Sequence, residues 1–231
     1  MSEVLVFDVN ETLLDLGALK VRFEKVFGDS SLLTQWFGQM LRNSLVATIT
    51  RTYAPFDVQG VAALRMTAAR AGIDLAGEDA AELVGGMRQL PPHPDVIPAL
   101  QRLGDAGRRL ATLTNSAPQA VKAQLDNAGL NGFFEQMLSV EPVGLFKPAA
   151  ETYQYAAEQL DVDIGEILLV AAHDWDITGA IRAGARGAFI ARPGMLLGDL
   201  SERPDFIAPD LGAFADELLG HDDASTHRLE T

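Results

Sequence analysis

Short apolar runs recur along the chain, each four or five residues long and each separated from the next by a stretch with helical spacing. Val4–Phe7, Leu110–Leu113, Met137–Val140, Ile167–Ala171 and Gly187–Ile190 are rich in branched and aromatic side chains, with no alternation of polar positions. That pattern predicts strands buried on both faces. Asp95–Ala106, Pro118–Ala128, Ala149–Leu160 and Asp176–Ala183 read as the intervening helices. Strand and helix in alternation predict an α/β fold, a Rossmann-like parallel sheet wrapped by helices. Gly107, Gly129 and Gly184 stand just past three of these helices, where a left-handed C-terminal residue is expected.

Between about Ala18 and Gln89 the rhythm changes. Ser31–Ile49, Val58–Ala71 and Glu78–Met87 read as helices, no convincing strand appears, and LPPHPD (Leu90–Asp95) marks the return to alternation. The expected organisation is a core of residues 1–16 and 90–220, a helical insert at 17–89, and a disordered polar tail at 221–231.

Composition narrows the function classes. With 231 residues the chain can bury a sizeable core, and 48% hydrophobic with 22% charged residues is ordinary for a globular protein. A net charge of −14 argues against nucleic acid and against anionic membrane surfaces as partners, though not against a small anion in a locally positive site. The absence of cysteine removes disulfides, thiolate metal sites and cysteine nucleophiles, and fits a reducing compartment. The first residues lack the basic and apolar regions of a signal peptide, and no apolar stretch reaches the roughly 18 residues of a membrane helix. The expected location is cytoplasmic.

Open parallel sheets bind ligands beyond the carboxyl ends of their strands, so the polar residues that end the apolar runs are the candidates. The first run delivers Asp8, in VLVFDVNET. The second ends in Thr114, Asn115 and Ser116. Lys147 follows the third in VGLFKP, and the fourth leads into AAHDWD, Ala171–Asp176. One carboxylate, an amide flanked by hydroxyls, a lysine and a further carboxylate would converge on one crevice.

FDVNETLLD, LTNS, the lysine of FKP and the WD that opens the next helix resemble, in order, the four motifs of the haloacid dehalogenase superfamily, and the helical insert resembles its cap domain. Most members are phosphatases carrying D-x-D-x-T, whose second aspartate protonates the leaving alcohol. Here that position is Asn10, which has no acidic proton to give. Those enzymes also hold Mg²⁺ through fourth-motif carboxylates; Asp176 is present, but the position that often carries the other acid is Ala172, with Asp174 as the one possible substitute. The branch needing neither feature is the 2-haloacid dehalogenases. That resemblance implies a hydrolase that needs no metal or other cofactor and acts on short 2-haloacids, with Asp8 as nucleophile and Lys147 as its ionic partner. It further implies Asn115 as the donor to departing halide, a role whose loss typically costs about 3–4 kcal/mol. Asp176 is implied to position or activate the hydrolytic water, and Thr12 to support the nucleophile's loop. Asn10 and Glu11 are implied to hold the substrate carboxylate through their backbone, and Thr114, Ser116, Tyr153, His173 and Trp175 to line the site. Dimerisation is common in the resembling enzymes, so a homodimer is an expected assembly.

Two positions depart from that pattern. The arginine that such enzymes place on the first cap helices is matched by Phe37, leaving Arg42 or Arg51 to reach the site from another turn. The small polar and asparagine residues of the fourth motif appear as Ala171, Ala172 and His173; His173 would orient water or act as a base near neutral pH. Structural roles stand beside these functional ones: Lys147 before proline suits a surface turn, Asn115 a helix cap, Tyr153 and Trp175 core packing, and His93 a turn. Two alternatives to a dehalogenase follow, a Mg²⁺-dependent phosphatase of a small phosphate ester and a non-catalytic member that binds a small carboxylate or a partner.

Overall fold

The computed structural model of the chain describes residues 3–226, with side chains through residue 220. Its centre is β1 (Val4–Phe7), whose four residues are all buried, as expected of a strand covered on both faces. β2 (Arg109–Thr114), β3 (Gln136–Ser139), β4 (Ile167–Ala171), β5 (Arg186–Ile190) and β6 (Phe206–Ala208) complete a sheet of order β3-β2-β1-β4-β5-β6, every pairing parallel. Five strands lie within a residue of their predicted positions at either end. β6 was not expected: it has three residues, and the middle one, Ile207, is exposed, so no apolar run marks it.

The chain moves away from β1 in both directions, to β2 on one side and β4 on the other, which opens a crevice at the carboxyl end of β1. The helices α5 (Val96–Asp105), α6 (Pro118–Asn127), α7 (Ala150–Leu160), α8 (Asp174–Ala183) and α9 (Leu211–Thr226) cover the faces. α8 starts two residues earlier than expected, because the break in helical geometry falls at His173, which is extended (φ −105°, ψ 123°). Asp176 therefore sits inside the first turn. Gly107, Gly129 and Gly184 take the expected left-handed φ. The backbone of α9 carries helix past the expected tail boundary at 221, and residues 227–231 lie outside the described residues.

The insert between β1 and β2 consists of α1 (Lys20–Phe27), α2 (Leu32–Thr50), α3 (Phe56–Arg70) and α4 (Gly77–Gly85). Trp36 organises it: its ring lies 5.4 Å from Phe23, and its Nε1 donates to Gly60 O at 2.9 Å. Four contacts help seat the insert on the sheet. The Tyr53 and Phe56 rings pack on Phe146 at 4.9 and 5.8 Å, Phe146 N donates to Thr48 Oγ1 at 3.0 Å, and Phe37 stacks on His173 at 6.4 Å. Phe146 directly precedes Lys147, so the helical layer grips the loop that carries the lysine.

Candidate active site

Asp8 follows β1 and is 5% exposed. Its backbone N–H continues the ladder to Val170 O (3.0 Å), which fixes the direction in which the side chain leaves the strand. Lys147 Nζ donates to Asp8 Oδ1 at 2.9 Å, to Leu113 O at 2.9 Å and to Asp176 Oδ2 at 2.6 Å. An ammonium has three protons, and here each has a buried acceptor. Tyr153 OH donates to the other oxygen of Asp176, Oδ1, at 2.6 Å. Thr12 Oγ1 donates to Asp8 Oδ2 at 2.7 Å and accepts from Ala172 N at 2.9 Å, tying the β1 loop to the β4 loop.

Charge states follow from this packing. Burial opposes ionisation of Asp8, but the Lys147 ammonium, helped by His173 and the Thr12 hydroxyl, holds it well below the usual carboxylate range. Lys147 is likewise opposed by burial and raised by Asp176 and Asp8. Asp176, wholly buried, is raised by desolvation and by the charge of Asp8, against the pull of Lys147 and Tyr153. Burial and Asp176 push the Tyr153 phenol well up, so it stays a donor.

His173 closes the opposite side of Asp8. Its Nε2 lies 2.9 Å from Glu11 Oε2, and its Nδ1 lies 3.3 Å from Asp8 Oδ2 but out of line for a hydrogen bond, leaving that nitrogen without a partner among the described residues. Burial works against a charged ring here, yet the two flanking carboxylates win and raise His173 to about 10. Phe37 and Trp175 (5.0 Å) flank the ring, and all three border a cavity of about 410 Å³ together with Glu11, Thr34 and Leu41. Phe37 thus lies over the His173 ring. Neither arginine considered in its place is hydrogen-bonded or ion-paired to a site residue: Arg42 is bonded to Gln39, and Arg51 ends α2 in a left-handed conformation.

Asn115 Oδ1 accepts from Lys147 N at 3.0 Å, which aims its Nδ2 protons away from the lysine loop with no protein acceptor among the described residues. Thr114 Oγ1 accepts from Ser116 N at 3.2 Å and so shapes the turn. Asn10 is enclosed by its own network: Nδ2 donates to Ser116 Oγ at 3.3 Å and Oδ1 accepts from Gln124 Nε2 at 2.8 Å. The backbone cradle expected of Asn10 and Glu11 is reduced by half. Glu11 takes a left-handed φ of 62° and its N–H is bonded to Leu14 O at 2.9 Å. Asp174 turns away from Asp8, accepting from Ser201 Oγ at 3.0 Å and from Trp175 N at 2.8 Å, so it does not stand in for the carboxylate lost at Ala172. His93, expected in a turn, contacts the carbonyl oxygen of Glu11 at 3.2 Å.

Two further residues brace the site. Gln124, on α6, bonds Asn10 and also Met87 O (3.1 Å), linking core to insert at the edge of a second cavity of about 500 Å³. Arg192 donates twice to Thr12 O (3.1 and 2.9 Å) and pairs with Asp95 at 2.7 Å. Gly179 lets α8 approach: a Cβ there would lie 2.3 Å from Pro148 Cβ and 2.7 Å from the Tyr153 hydroxyl, pushing Asp176 away from Lys147.

The Asp8 and Asp176 carboxylates already share an ammonium, and no group of three or more acid, histidine or cysteine side chains among the described residues is placed to hold an ion. What the arrangement can do is present a dry, ionised carboxylate as a nucleophile.

Comparison with known proteins shows the family. A family model described as haloacid dehalogenase-like hydrolase matches residues 3–184. The (S)-2-haloacid dehalogenase of Pseudomonas sp. (strain YL) is 30% identical over 211 residues, covering 90% of this chain and 91% of that one. Haloacetate dehalogenase H-2 of Moraxella sp. (strain B) is 29% identical, with 91% and 95% covered. The solved structure of the L-2-haloacid dehalogenase of Xanthobacter autotrophicus with chloropropionic acid covalently bound superposes with a TM-score of 0.90 at 26% identity, covering 95% of this chain and 99% of that one.

Proposed function

This chain belongs to the haloacid dehalogenase-like hydrolases, and from that membership we propose that it hydrolyses short 2-haloalkanoic acids to 2-hydroxy acids through an ester formed on Asp8. The single observation that carries the reading is the buried Lys147–Asp8 pair, in which the lysine keeps the carboxylate ionised while leaving it no proton to donate. Asp8 attacks the carbon that bears the halogen. The carbon–halogen bond breaks, and halide departs toward the Nδ2 protons of Asn115, held in place by Lys147 N. Halide is a weak base, so the missing acid at Asn10 is no loss. Water then cleaves the ester and restores Asp8.

Thr12 orients the nucleophile, Asp176, itself held by Tyr153, pairs with the lysine, and Ser116 with the backbone at Asn10 faces the substrate carboxylate. Thr114 supports that turn, and Phe37, His173 and Trp175 form the aromatic wall. Residues 17–89 act as the cap that keeps bulk water out, which strengthens the charge interactions inside. No cofactor enters these steps, and among the described residues no helix is long and apolar enough to cross a membrane. A cytoplasmic location is part of the same proposal. The (S) specificity named for the relatives in Pseudomonas supports the same enantiomer here.

The test is halide release from racemic 2-chloropropionate with EDTA present, following the lactate enantiomer. The expected result is release unaffected by EDTA, D-lactate from inversion of the (S) substrate, and no release by Asp8→Asn. Wild-type rates in that variant, or turnover of p-nitrophenyl phosphate with Mg²⁺ in place of the haloacid, would sink the reading.

A further inference from the structure

A side-chain amide can be turned over, exchanging donor for acceptor, and its neighbours decide which way it lies. For Gln124 the decision is forced. Its Nε2 faces Met87 O at 3.1 Å, a backbone carbonyl that can only accept, so the amide nitrogen must lie on that side. Its second proton goes to Asn10 Oδ1 at 2.8 Å. Asn10 is then fixed in turn: with Oδ1 accepting, it presents Nδ2 to Ser116 Oγ at 3.3 Å. Ser116 Oγ accepts, and its own proton is left to point elsewhere. We propose that Gln124 is a positioning residue that, through Asn10, makes the Ser116 hydroxyl a donor to the substrate carboxylate. The proposal rests on the dehalogenase reading above, in which Ser116 faces that carboxylate.

Three features of the geometry support it. The backbone of Ser116 is held independently, its N–H donating to Thr114 Oγ1 at 3.2 Å and its carbonyl accepting from Ser139 Oγ at 2.7 Å. The direction of the hydroxyl proton is what remains for Asn10 to set. That proton meets no acceptor among the described residues, although Ser116 is buried, and the serine borders the cavity of about 500 Å³ between α6 and the insert. Finally, Gln124 Oε1 has no partner among the described residues although the side chain is buried. A buried acceptor left unpaired is destabilising, and here it accompanies an orientation that commits both amide protons to carbonyl oxygens.

The relay also ties this donor to the insert. Met87 lies in the short helical turn Gly86–Gln89 at the end of the insert, whereas Asn10 and Ser116 belong to the core. With the insert seated, Met87 O holds Gln124 in the donating orientation. Without that carbonyl the Gln124 amide is free to turn over, and Asn10 turns with it to keep their hydrogen bond. Ser116 would then donate to Asn10 Oδ1 and show its lone pairs to the substrate carboxylate, which repels them. The hydroxyl is therefore a donor only under a seated insert. A hydroxyl that accepts one hydrogen bond is also polarised into a better donor, so the Asn10 contact strengthens the grip on the carboxylate as well as aiming it.

The experiment is the concentration dependence of the halide burst from (S)-2-chloropropionate in the full-length chain, which separates substrate affinity from the maximal rate of attack by Asp8. Gln124→Met keeps the length of the side chain and removes the amide. The expected result is an apparent dissociation constant raised on the order of 10- to 100-fold, as for a lost hydrogen bond to a charged group. The maximal burst rate should stay within about threefold of the wild type, the mark of lost binding without lost chemistry. Ser116→Ala should show the same rise, and the double variant no more than Ser116→Ala alone, because the glutamine acts only through that hydroxyl. Gln124→Glu, which offers Asn10 acceptors in place of the amide protons, should weaken binding at least as much as Gln124→Met, and it carries the test if the apolar variant does not fold. Wild-type affinity in either Gln124 variant overturns the proposal. So does a double variant whose rise is the product of the two single ones, or a loss confined to the burst rate. A wild-type chain that releases no halide overturns the dehalogenase reading itself, a separate failure seen before any variant is compared.

Discussion

The two sides of Asp8 are built on opposite plans. On the lysine side the charged groups are matched: Lys147 donates three times, and Asp176 accepts on both oxygens. On the histidine side the match is incomplete, because Nδ1 of His173 has no hydrogen-bond partner among the described residues although a carboxylate lies 3.3 Å away. A saturated network holds a charge still, since any rearrangement exposes a buried donor or acceptor. An unsaturated atom at the edge of a cavity is where a proton can come and go. One flank fixes the ionisation of the carboxylate, and the other sets a titrating ring against it at the edge of the cavity.

The largest effect should come from breaking the saturated flank. Lys147→Met leaves Asp8 and Asp176 buried with no cation between them, and removing one member of a buried ion pair costs about 3–5 kcal/mol. With the lysine gone, the cheapest response is for one carboxylate to bind a proton. The expected outcome in urea unfolding is therefore a variant destabilised more at pH 8 than at pH 5, with halide release lost. A variant equally destabilised at both values would mean that the two carboxylates do not share the lysine's charge.

How much of this contrast can be read from residue order alone depends on what kind of contact is involved. Strand ends meet in a parallel sheet whatever lies between them, so Asp8, Asn115, Lys147 and Asp176 could be placed together from the apolar runs that precede them. The same rule applied to the fifth run, β5, points to Arg192, which sits two residues past it and braces Thr12. Gln124 offers no such signal: it lies in the middle of α6, and its bond to Asn10 spans 114 positions. Nor does residue order reveal that Glu11 gives its N–H to Leu14 and its carboxylate to His173. Those outcomes depend on the left-handed turn at Glu11, a conformation that few residues other than glycine adopt and that no local pattern announces. Elements failed to show for a related reason. β6 is a three-residue edge strand, too short for a periodic signal.

The unsaturated flank makes a smaller, pH-dependent contribution, and its sign is fixed by the direction of the shift. The folded chain holds the His173 proton more tightly than the unfolded chain, about 10 against 6.5. Between those values the native state binds more protons than the unfolded state, so stability falls as pH rises. Below about 6.5 the contribution is fully present, and by about 10 it is gone. His93, which burial pushes down, titrates below this window. Thermal melts from pH 6 to 10 should show a decline that His173→Asn flattens. Asp8→Asn should shrink it as well, by removing one of the two carboxylates that sustain the imidazolium. An unchanged decline in both variants would place the titrating group elsewhere.

The smallest effect sharpens the comparison most, because it removes a hydrogen bond from the saturated flank without touching its charges. Tyr153→Phe leaves Asp176 Oδ1 buried and unpaired, which costs about 1–3 kcal/mol in stability. Lys147 still pairs with Asp8, so halide release should change by less than about tenfold, equivalent to 1.4 kcal/mol. The nucleophile's ionisation depends on the ammonium, and the tyrosine acts on it only through Asp176. Paired measurements of urea midpoint and halide burst separate the two quantities. A stability loss with catalysis largely kept means that the lysine flank is a scaffold for charge, while a collapse of halide release with stability intact would move Tyr153 to the substrate side of the site.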